Sequence, residues 1–203
     1  MLSEDDGHRA VRRARAAVSA ALADGSSLPV EGPDDDLPPV FREPRGAFVT
    51  LKHFPSGELR GCIGYALPIL PLATAIAQAA VAAATEDPRF PPVERRELLT
   101  LALEVSVLTL PVAVVGTSPE EILRSIRAGR DGLIVDGYGT SGLLLPQVAS
   151  EMGWTAREFL DGACEKAGLP VGAWRDRGVR IRRFEAEVFG ERSPGGPVER
   201  IGF

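Results

Sequence analysis

Apolar residues recur every three or four positions near the start of the chain and alternate with polar residues further along. The first pattern covers residues 4–23 and predicts an amphipathic helix, with Ser3 as its N-cap and acidic residues in its first turn. The alternation predicts two strands over 47–53 and 59–65. Because Pro55-Ser56-Gly57 is typical of a turn, we expect these strands to pair as a hairpin.

The rest of the chain mixes predicted helices and strands. No charged residue occurs between Gly61 and Thr85, but prolines interrupt this stretch. It therefore predicts a buried helix over 71–85 of about 23 Å, short of a roughly 30 Å hydrocarbon core. The same signals predict an extended connector at 28–45, strands at 101–108 and 179–189, helices at 118–127 and 155–168, and a second hairpin at 133–136 and 143–145 that Pro146 ends. These elements predict an α+β fold with a mixed, largely antiparallel sheet and flanking helices.

Composition narrows the class of protein. With 203 residues, 44% of them hydrophobic, the chain fits one soluble globular domain or one domain with a small subdomain. The net charge of −5 argues against a dedicated nucleic-acid-binding protein. The arginine-rich run 175–183 is interpreted as a solvated strand face, with contact to phosphate, an acidic partner or RNA as the alternatives. The chain has only two cysteines, too few for a disulfide framework. It also begins with acidic residues, whereas a signal peptide begins with positive charge, so we expect a cytoplasmic protein that does not span a membrane.

The strand over 59–65 carries the candidate chemistry. Gly61 and Gly64 bracket Cys62, and glycine inside a strand marks a bulge or the close approach of a backbone or ligand. Arg60 lies two residues before Cys62, so regular alternation places both on one face, where the cation favours a thiolate. A reactive Cys62 and a buried structural cysteine are both open at this point.

The hairpin register decides what accompanies Cys62. With an even number of loop residues, His53 lies opposite Arg60 and becomes a diagonal neighbour of Cys62 on the same face. Such a pair is either a nucleophile with its base, or two ligands of a metal ion whose coordination is completed by a carboxylate. An odd loop with a bulge places the two side chains on opposite faces.

Other motifs receive structural interpretations. The sequence 137–142 matches G-x-G-x-x-G, but a short strand and Pro146 follow it, so we interpret it as a hairpin turn. His8 lies in the acidic first turn of a surface helix and is expected to be solvated. Cys164 shares an apolar helical stripe and is expected in the core, and Trp174 is expected to be a packing anchor.

Several segments together resemble one known family. Leu59-Arg60-Gly61-Cys62-Ile63-Gly64 looks like the six-residue signature of the AMMECR domain family, whose prokaryotic members are called AmmeMemoRadiSam system protein A. The resemblance extends from Asp6 to Phe189. The further matching segments are Phe48–Leu51, Asp87–Pro92, Leu103–Leu108, Gly129–Leu133, Leu145–Val148 and Lys166–Pro170 with Trp174.

The resemblance implies an α+β fold in which both chain ends form a larger domain and a smaller subdomain lies within it. We expect this domain at 6–189, followed by a polar, flexible tail at 190–203. Family members are often encoded beside a Memo-like protein and a radical S-adenosylmethionine protein, which makes both expected partners. The uncharged helix 71–85 also predicts a surface for a partner or for homo-oligomer formation.

The leading hypothesis is an enzyme or enzyme subunit, and the alternative is a non-catalytic binding or scaffold protein of that system. In the enzyme, Cys62 acts as nucleophile or metal ligand, His53 as base or co-ligand, and Arg60 stabilises the thiolate or binds a substrate anion. No cofactor is expected apart from a metal at Cys62 and His53. The candidates for substrate binding are Gly61, Gly64, Asp87, Arg89 and Glu104.

Overall fold

A computed structural model describes residues 2–24, 37–116 and 118–201. The chain forms two compact units, one from Met1–Leu108 with Glu187–Phe203 and the other from Thr109–Ala186. The helices are α1 (Glu4–Asp24), α2 (Leu72–Thr85), α3 (Pro119–Ser125), α4 (Pro146–Met152) and α5 (Ala156–Lys166), and the strands are β1 (Ala47–His53), β2 (Leu59–Tyr65), β3 (Leu101–Leu108), β4 (Val112–Ala113), β5 (Asp131–Gly137), β6 (Thr140–Leu144), β7 (Val179–Glu191) and β8 (Val198–Ile201). The predicted α+β class, with the larger unit formed by both chain ends, is confirmed.

The first unit is built on antiparallel strands with α1 and α2 packed beside them. β1 lies between β2 and β3, and β8 pairs with the last residues of β7. Alternate residues of β1, namely Ala47, Val49 and Leu51, are completely buried, because this side of the strand faces the core that α2 shares. The intervening residues are half-buried and line the other face.

Helix α2 is enclosed by the first unit. It contacts α1, β1 and β2, and none of its residues is exposed. Its alanines bring the backbones of these elements close together, which explains why a helix without charged residues is stable here. The prediction of a buried helix is confirmed, and a surface of α2 for a partner or a second copy stays a prediction. Within the described ranges, no helix is long and apolar enough to cross a membrane.

The second unit contains the hairpin β5–β6, the first part of β7 and the short strand β4. Helix α5 packs on β5 and β6 over a separate apolar core. Cys164 and Trp174 are buried in this core, as predicted, and the Trp174 Nε1 donates a hydrogen bond of 2.7 Å to Asp161. Tyr138 and Gly139, both with positive φ, form the predicted hairpin turn.

Two predictions need correction, and one falls partly outside the description. Pro146 does not merely end a strand: it is the first residue of α4, because proline suits the first helical position, where no hydrogen-bonded N–H is needed. The chain after residue 190 is polar, as predicted, but its described part is not a flexible tail, since β7 continues to Glu191 and β8 pairs with it. Residues 28–36 of the predicted connector 28–45 lie outside the described part of the chain. After them, the short 3-10 helix Pro39–Arg42 buries Phe41.

Candidate functional site

The six-residue motif forms strand β2, and a bulge interrupts its pairing with β1. Thr50 lies opposite Cys62 and Leu51 opposite Gly61, but Lys52 lies opposite Leu59. Arg60 is therefore the extra residue of a bulge. A register shift of one residue moves the side chains beyond it to the other face of the strand.

The bulge separates His53 from Cys62. On β1, His53 belongs to the same face as Leu51, whereas Cys62 lies across from Thr50 on the other face. The prediction that His53 and Cys62 share a face, which assumed an even and regular hairpin, is therefore wrong. The metal site predicted from that shared face loses its basis as well. Among residues 2–24, 37–116 and 118–201, no group of three or more His, Cys, Asp or Glu side chains could hold a metal ion.

Arg60 is engaged by a carboxylate from a different part of the chain. Its side chain is 9% exposed and makes two hydrogen bonds to Glu97, of 2.5 and 3.1 Å, while its guanidinium lies 5.8 Å from the Phe90 ring centroid. The hydrogen bonds from Arg60 lower the pKa of Glu97, and the charge of His53 adds to this shift. The bulge removes the regular alternation from which a shared face of Arg60 and Cys62 was predicted, and Glu97 holds the Arg60 guanidinium instead.

Replacing Glu97 by glutamine is expected to lower the free energy of unfolding by about 2 kcal/mol, because it leaves the buried Arg60 charge without its partner. Glu94→Gln is the matched control, since it removes an ion pair to Arg96 whose side chains are 64% and 86% exposed. The control should cost less than about 0.5 kcal/mol. Urea unfolding measures both variants, and equal losses would contradict a structural role for the Arg60–Glu97 pair.

The two glycines of the motif make room for neighbouring protein groups. A Cβ atom on Gly61 would lie 2.1 Å from the Ala83 carbonyl oxygen of α2. A Cβ on Gly64 would lie 2.5 Å from the Phe48 ring and 2.4 Å from a β1 carbonyl oxygen. Protein atoms already occupy the space into which a side chain would project at both positions, so close packing explains why glycine stands there.

Asp87 and Arg89 hold the backbone of Cys62 at the outer edge of β2. The Asp87 carboxylate accepts the Cys62 N–H at 2.8 Å, and the Arg89 guanidinium donates to the Cys62 carbonyl at 3.2 Å. Asp87 also accepts hydrogen bonds from the Arg89 side chain at 2.7 and 2.9 Å. These contacts satisfy backbone groups that an edge strand otherwise leaves unpaired.

Asp87 and Arg89 together form a clamp on the Cys62 backbone, and their side chains differ in exposure. The Asp87 side chain is 2% exposed, and its hydrogen bonds with Arg89 hold its pKa far below the ordinary value. The Arg89 side chain is 53% exposed. The hydrogen bond to Asp87 is the main cause that raises the pKa of Arg89, and the electrostatic influence of Cys62 adds to this rise. Arg89 is therefore a permanent, accessible cation beside the cysteine.

Cys62 is half-buried on the face of the sheet turned away from α2. The Thr50 hydroxyl donates a hydrogen bond to its sulfur at 3.3 Å. Thr50 also pairs with Glu104 of β3, on the side of β1 away from β2. Lys52 bonds this carboxylate at 2.7 Å. The structure thus brings Asp87 and Arg89 together with Cys62 at the outer edge of β2, whereas Glu104 lies two strands away, across Thr50.

Cys164 shows the opposite environment. It is completely buried in the core of the second unit, and burial raises the pKa of its thiol. The chain therefore contains one half-buried thiol with polar neighbours and one enclosed thiol. The second is an internal reference for the reactivity of the first.

Thr50 and Glu97 have roles that the sequence analysis missed. A signal for Thr50 existed, because it falls on the polar side of the alternation in β1. Its contact with Cys62 depends on the register, however, which the bulge changes. Glu97 lies in a 3-10 turn before β3 and has no local pattern that points to Arg60.

Comparison with known proteins places these residues in a family context. The AMMECR1 family model matches residues 11–189. The chain belongs to the AMMECR1 family. It is 50% identical over 205 residues to a protein of Thermofilum pendens, covering 97% of this chain and 95% of that one. It is 48% identical over 198 residues to a protein of Methanocaldococcus jannaschii, covering 98% of this chain and 96% of the relative.

A solved structure supports the same assignment. The crystal structure of an uncharacterized protein from Pyrococcus horikoshii superposes with a TM-score of 0.81 at 45% sequence identity, covering 100% of this chain and 99% of the other. The AMMECR1 fold of this chain is therefore shared along its whole length. The relatives' names state no activity, so function has to be argued from the chemistry around Cys62.

Proposed function

We propose that this AMMECR1-family protein is an enzyme or enzyme subunit that uses the Cys62 thiol as a nucleophile toward an anionic substrate. The observation that carries the proposal is the setting of the sulfur, which is half-buried, accepts a hydrogen bond from Thr50 and lies beside the exposed cation of Arg89. A fixed positive charge and a hydrogen-bond donor are contacts that a negatively charged sulfur favours. Structural cysteines are instead enclosed by apolar groups, as Cys164 is.

The roles of the neighbouring residues follow from their positions. Arg89 binds the anionic group of the substrate through guanidinium donors left free by Asp87. The sulfur forms a bond to an electrophilic carbon, the leaving group departs with the electron pair of the broken bond, and the thiol proton passes to water. Lys52 and Glu104 form the polar wall beside Thr50. His53 and Arg60 have no part in this step.

A pair of alkylating reagents tests the proposal. Iodoacetate carries a negative charge and iodoacetamide is neutral, so the ratio of their rates at Cys62 reports attraction of an anion to the sulfur. We expect this ratio to exceed that of glutathione and to fall about threefold in Arg89→Gln. Peptide mass spectrometry resolves the modified residue and gives both rates.

Two variants control for indirect effects. Arg89→Lys keeps the charge and should retain most of the wild-type ratio, which separates electrostatics from loss of the clamp. Arg96→Gln removes an exposed arginine from the same connecting segment and should leave the ratio unchanged. A ratio at Cys62 that matches glutathione, or that stays unchanged in Arg89→Gln, would overturn the anionic-substrate proposal.

The alternative is a non-catalytic binding protein, and the packing of the two glycines favours it. Because Gly61 and Gly64 are both explained by contacts inside the first unit, the motif has a structural reason to exist without catalysis. In that case the resemblance supplies the proposed partners, a Memo-like protein and a radical S-adenosylmethionine protein. A Cys62 that is unreactive in the folded protein would favour this function.

A further inference from the structure

The second unit contains a cleft of about 800 Å³ beside the edge of β7. The short strand β4 pairs with β7 at Arg182 and Arg183 but ends before Arg180, which leaves an opening next to the first residues of β7. The 3-10 turn Ala173–Arg175 and the beginning of α3 complete the walls. A volume of this size is typical of sites for small organic molecules.

Positive charge is concentrated in the cleft although the whole chain is acidic. Two aspartates, Asp136 and Asp176, line the cleft together with a larger number of arginines, namely Arg175, Arg177, Arg180 and Arg182. The formal charge of the whole chain is −5. The cleft therefore has a local field of opposite sign, which attracts anions.

Two of the arginines are held in place by other side chains. Arg182 donates to Asp136 at 2.9 and 3.2 Å. The guanidinium of Arg175 lies 4.0 Å from the ring centroid of Trp174, and the Asp161 carboxylate in turn fixes Trp174. A guanidinium fixed in this way loses less conformational freedom when it binds a ligand.

The other two arginines are uncompensated. Arg177 and Arg180 are exposed and line the cleft, and no carboxylate in the described part of the chain lies within ion-pair distance of either. Two guanidinium groups that line one cleft without carboxylate partners repel each other if they approach, and a bound anion relieves this repulsion. Their planar donors match the oxygens of a phosphate group.

One wall of the cleft is apolar. Val114, Ile122, Val179 and Ile181 are its apolar lining residues. We propose that the cleft binds a small organic phosphate monoester, with the phosphate on Arg177 and Arg180 and the organic group against this wall. All lining residues belong to the second unit, so this site is independent of the function proposed for Cys62.

A small ligand fits these observations better than a nucleic acid does. Binding to a nucleic-acid backbone needs cations spread along an extended surface, and the acidic charge of the chain opposes it. Here the cations without ion-pair partners line one cleft that also has apolar lining residues. Phenyl phosphate is therefore the appropriate probe, because it combines one phosphate with one apolar ring.

Isothermal titration calorimetry of the full chain tests the proposal. We expect saturable binding of phenyl phosphate, weaker binding of inorganic phosphate, and none of phenol up to about 10 mM. Arg177→Gln combined with Arg180→Gln should weaken phenyl phosphate binding by at least about tenfold. Both side chains are exposed, so the double variant is expected to keep its fold.

Arg124→Gln combined with Arg157→Gln is the matched control. These two exposed arginines belong to the same unit but do not line the cleft, so the charge change is equal and binding should change less than about twofold. Absence of phenyl phosphate binding, or equal weakening in both double variants, would overturn the proposal. Binding of a short single-stranded oligonucleotide without binding of phenyl phosphate would also overturn it, in favour of a nucleic-acid surface.

Discussion

Gly61→Ala is expected to lower the free energy of unfolding by at least about 3 kcal/mol, because the added methyl group collides with backbone rather than with a movable side chain. The ideal Cβ would lie 2.1 Å from the Ala83 carbonyl oxygen. Relief requires α2 to move away from β2, but α2 is also packed against α1 and β1. Urea unfolding followed by circular dichroism measures the loss.

The control for Gly61→Ala is a glycine with space around it. A Cβ on Gly178 would have its nearest neighbour at 3.4 Å, which is an ordinary contact. Gly178→Ala should therefore change the free energy of unfolding by less than about 1 kcal/mol. If Gly61→Ala proved as mild as this control, the close approach of α2 to the cysteine strand would be contradicted.

Asp87→Asn is the second substitution with a large expected effect, a loss of about 3 kcal/mol at neutral pH. The enclosed carboxylate accepts both the Cys62 N–H and the side chain of Arg89. The amide of asparagine has no negative charge to pair with Arg89. Its N–H donors would also face the Cys62 N–H and the Arg89 guanidinium, which are donors themselves. The substitution therefore weakens the clamp on the edge of β2.

The same substitution has a defined pH dependence. Because the folded protein lowers the pKa of Asp87, the carboxylate contributes its full stability above its ordinary pKa of 3.8. That contribution is lost as the pH falls below this value toward the lowered pKa. The difference in unfolding free energy between wild type and Asp87→Asn should therefore shrink on acidification. A difference that stays constant between pH 7 and about pH 3 would contradict the role given to the carboxylate.

Much of the architecture was predictable because local patterns determine it. The alternation in β1 and β3 predicts which side chains face the core, and the N-cap Ser3 predicts where α1 begins. The burial of Cys164 follows from its position on an apolar helical stripe. Pro146 was ambiguous, since proline both ends strands and begins helices.

The details around Cys62 were less predictable because they depend on contacts between distant segments. One extra residue at Arg60 reverses the relation between His53 and Cys62. The glycines of the motif indicate a bulge or a close approach, but they do not determine which of the two occurs or at which residue. Asp87 and Arg89 were named as candidates through the family resemblance, but their hold on the Cys62 backbone spans about twenty-five residues of sequence. Such pairings require the folded chain.

The measurement that tests the central claim most directly compares the two cysteines in the folded protein. Iodoacetamide is added at neutral pH, and the modified fractions of Cys62 and Cys164 are followed over time by peptide mass spectrometry. We predict that Cys62 reacts at least about a hundredfold faster than Cys164, whose thiol is enclosed and becomes reactive only when the second unit opens. Equal rates, or modification of Cys62 only under unfolding conditions, would contradict a functional thiol at this site.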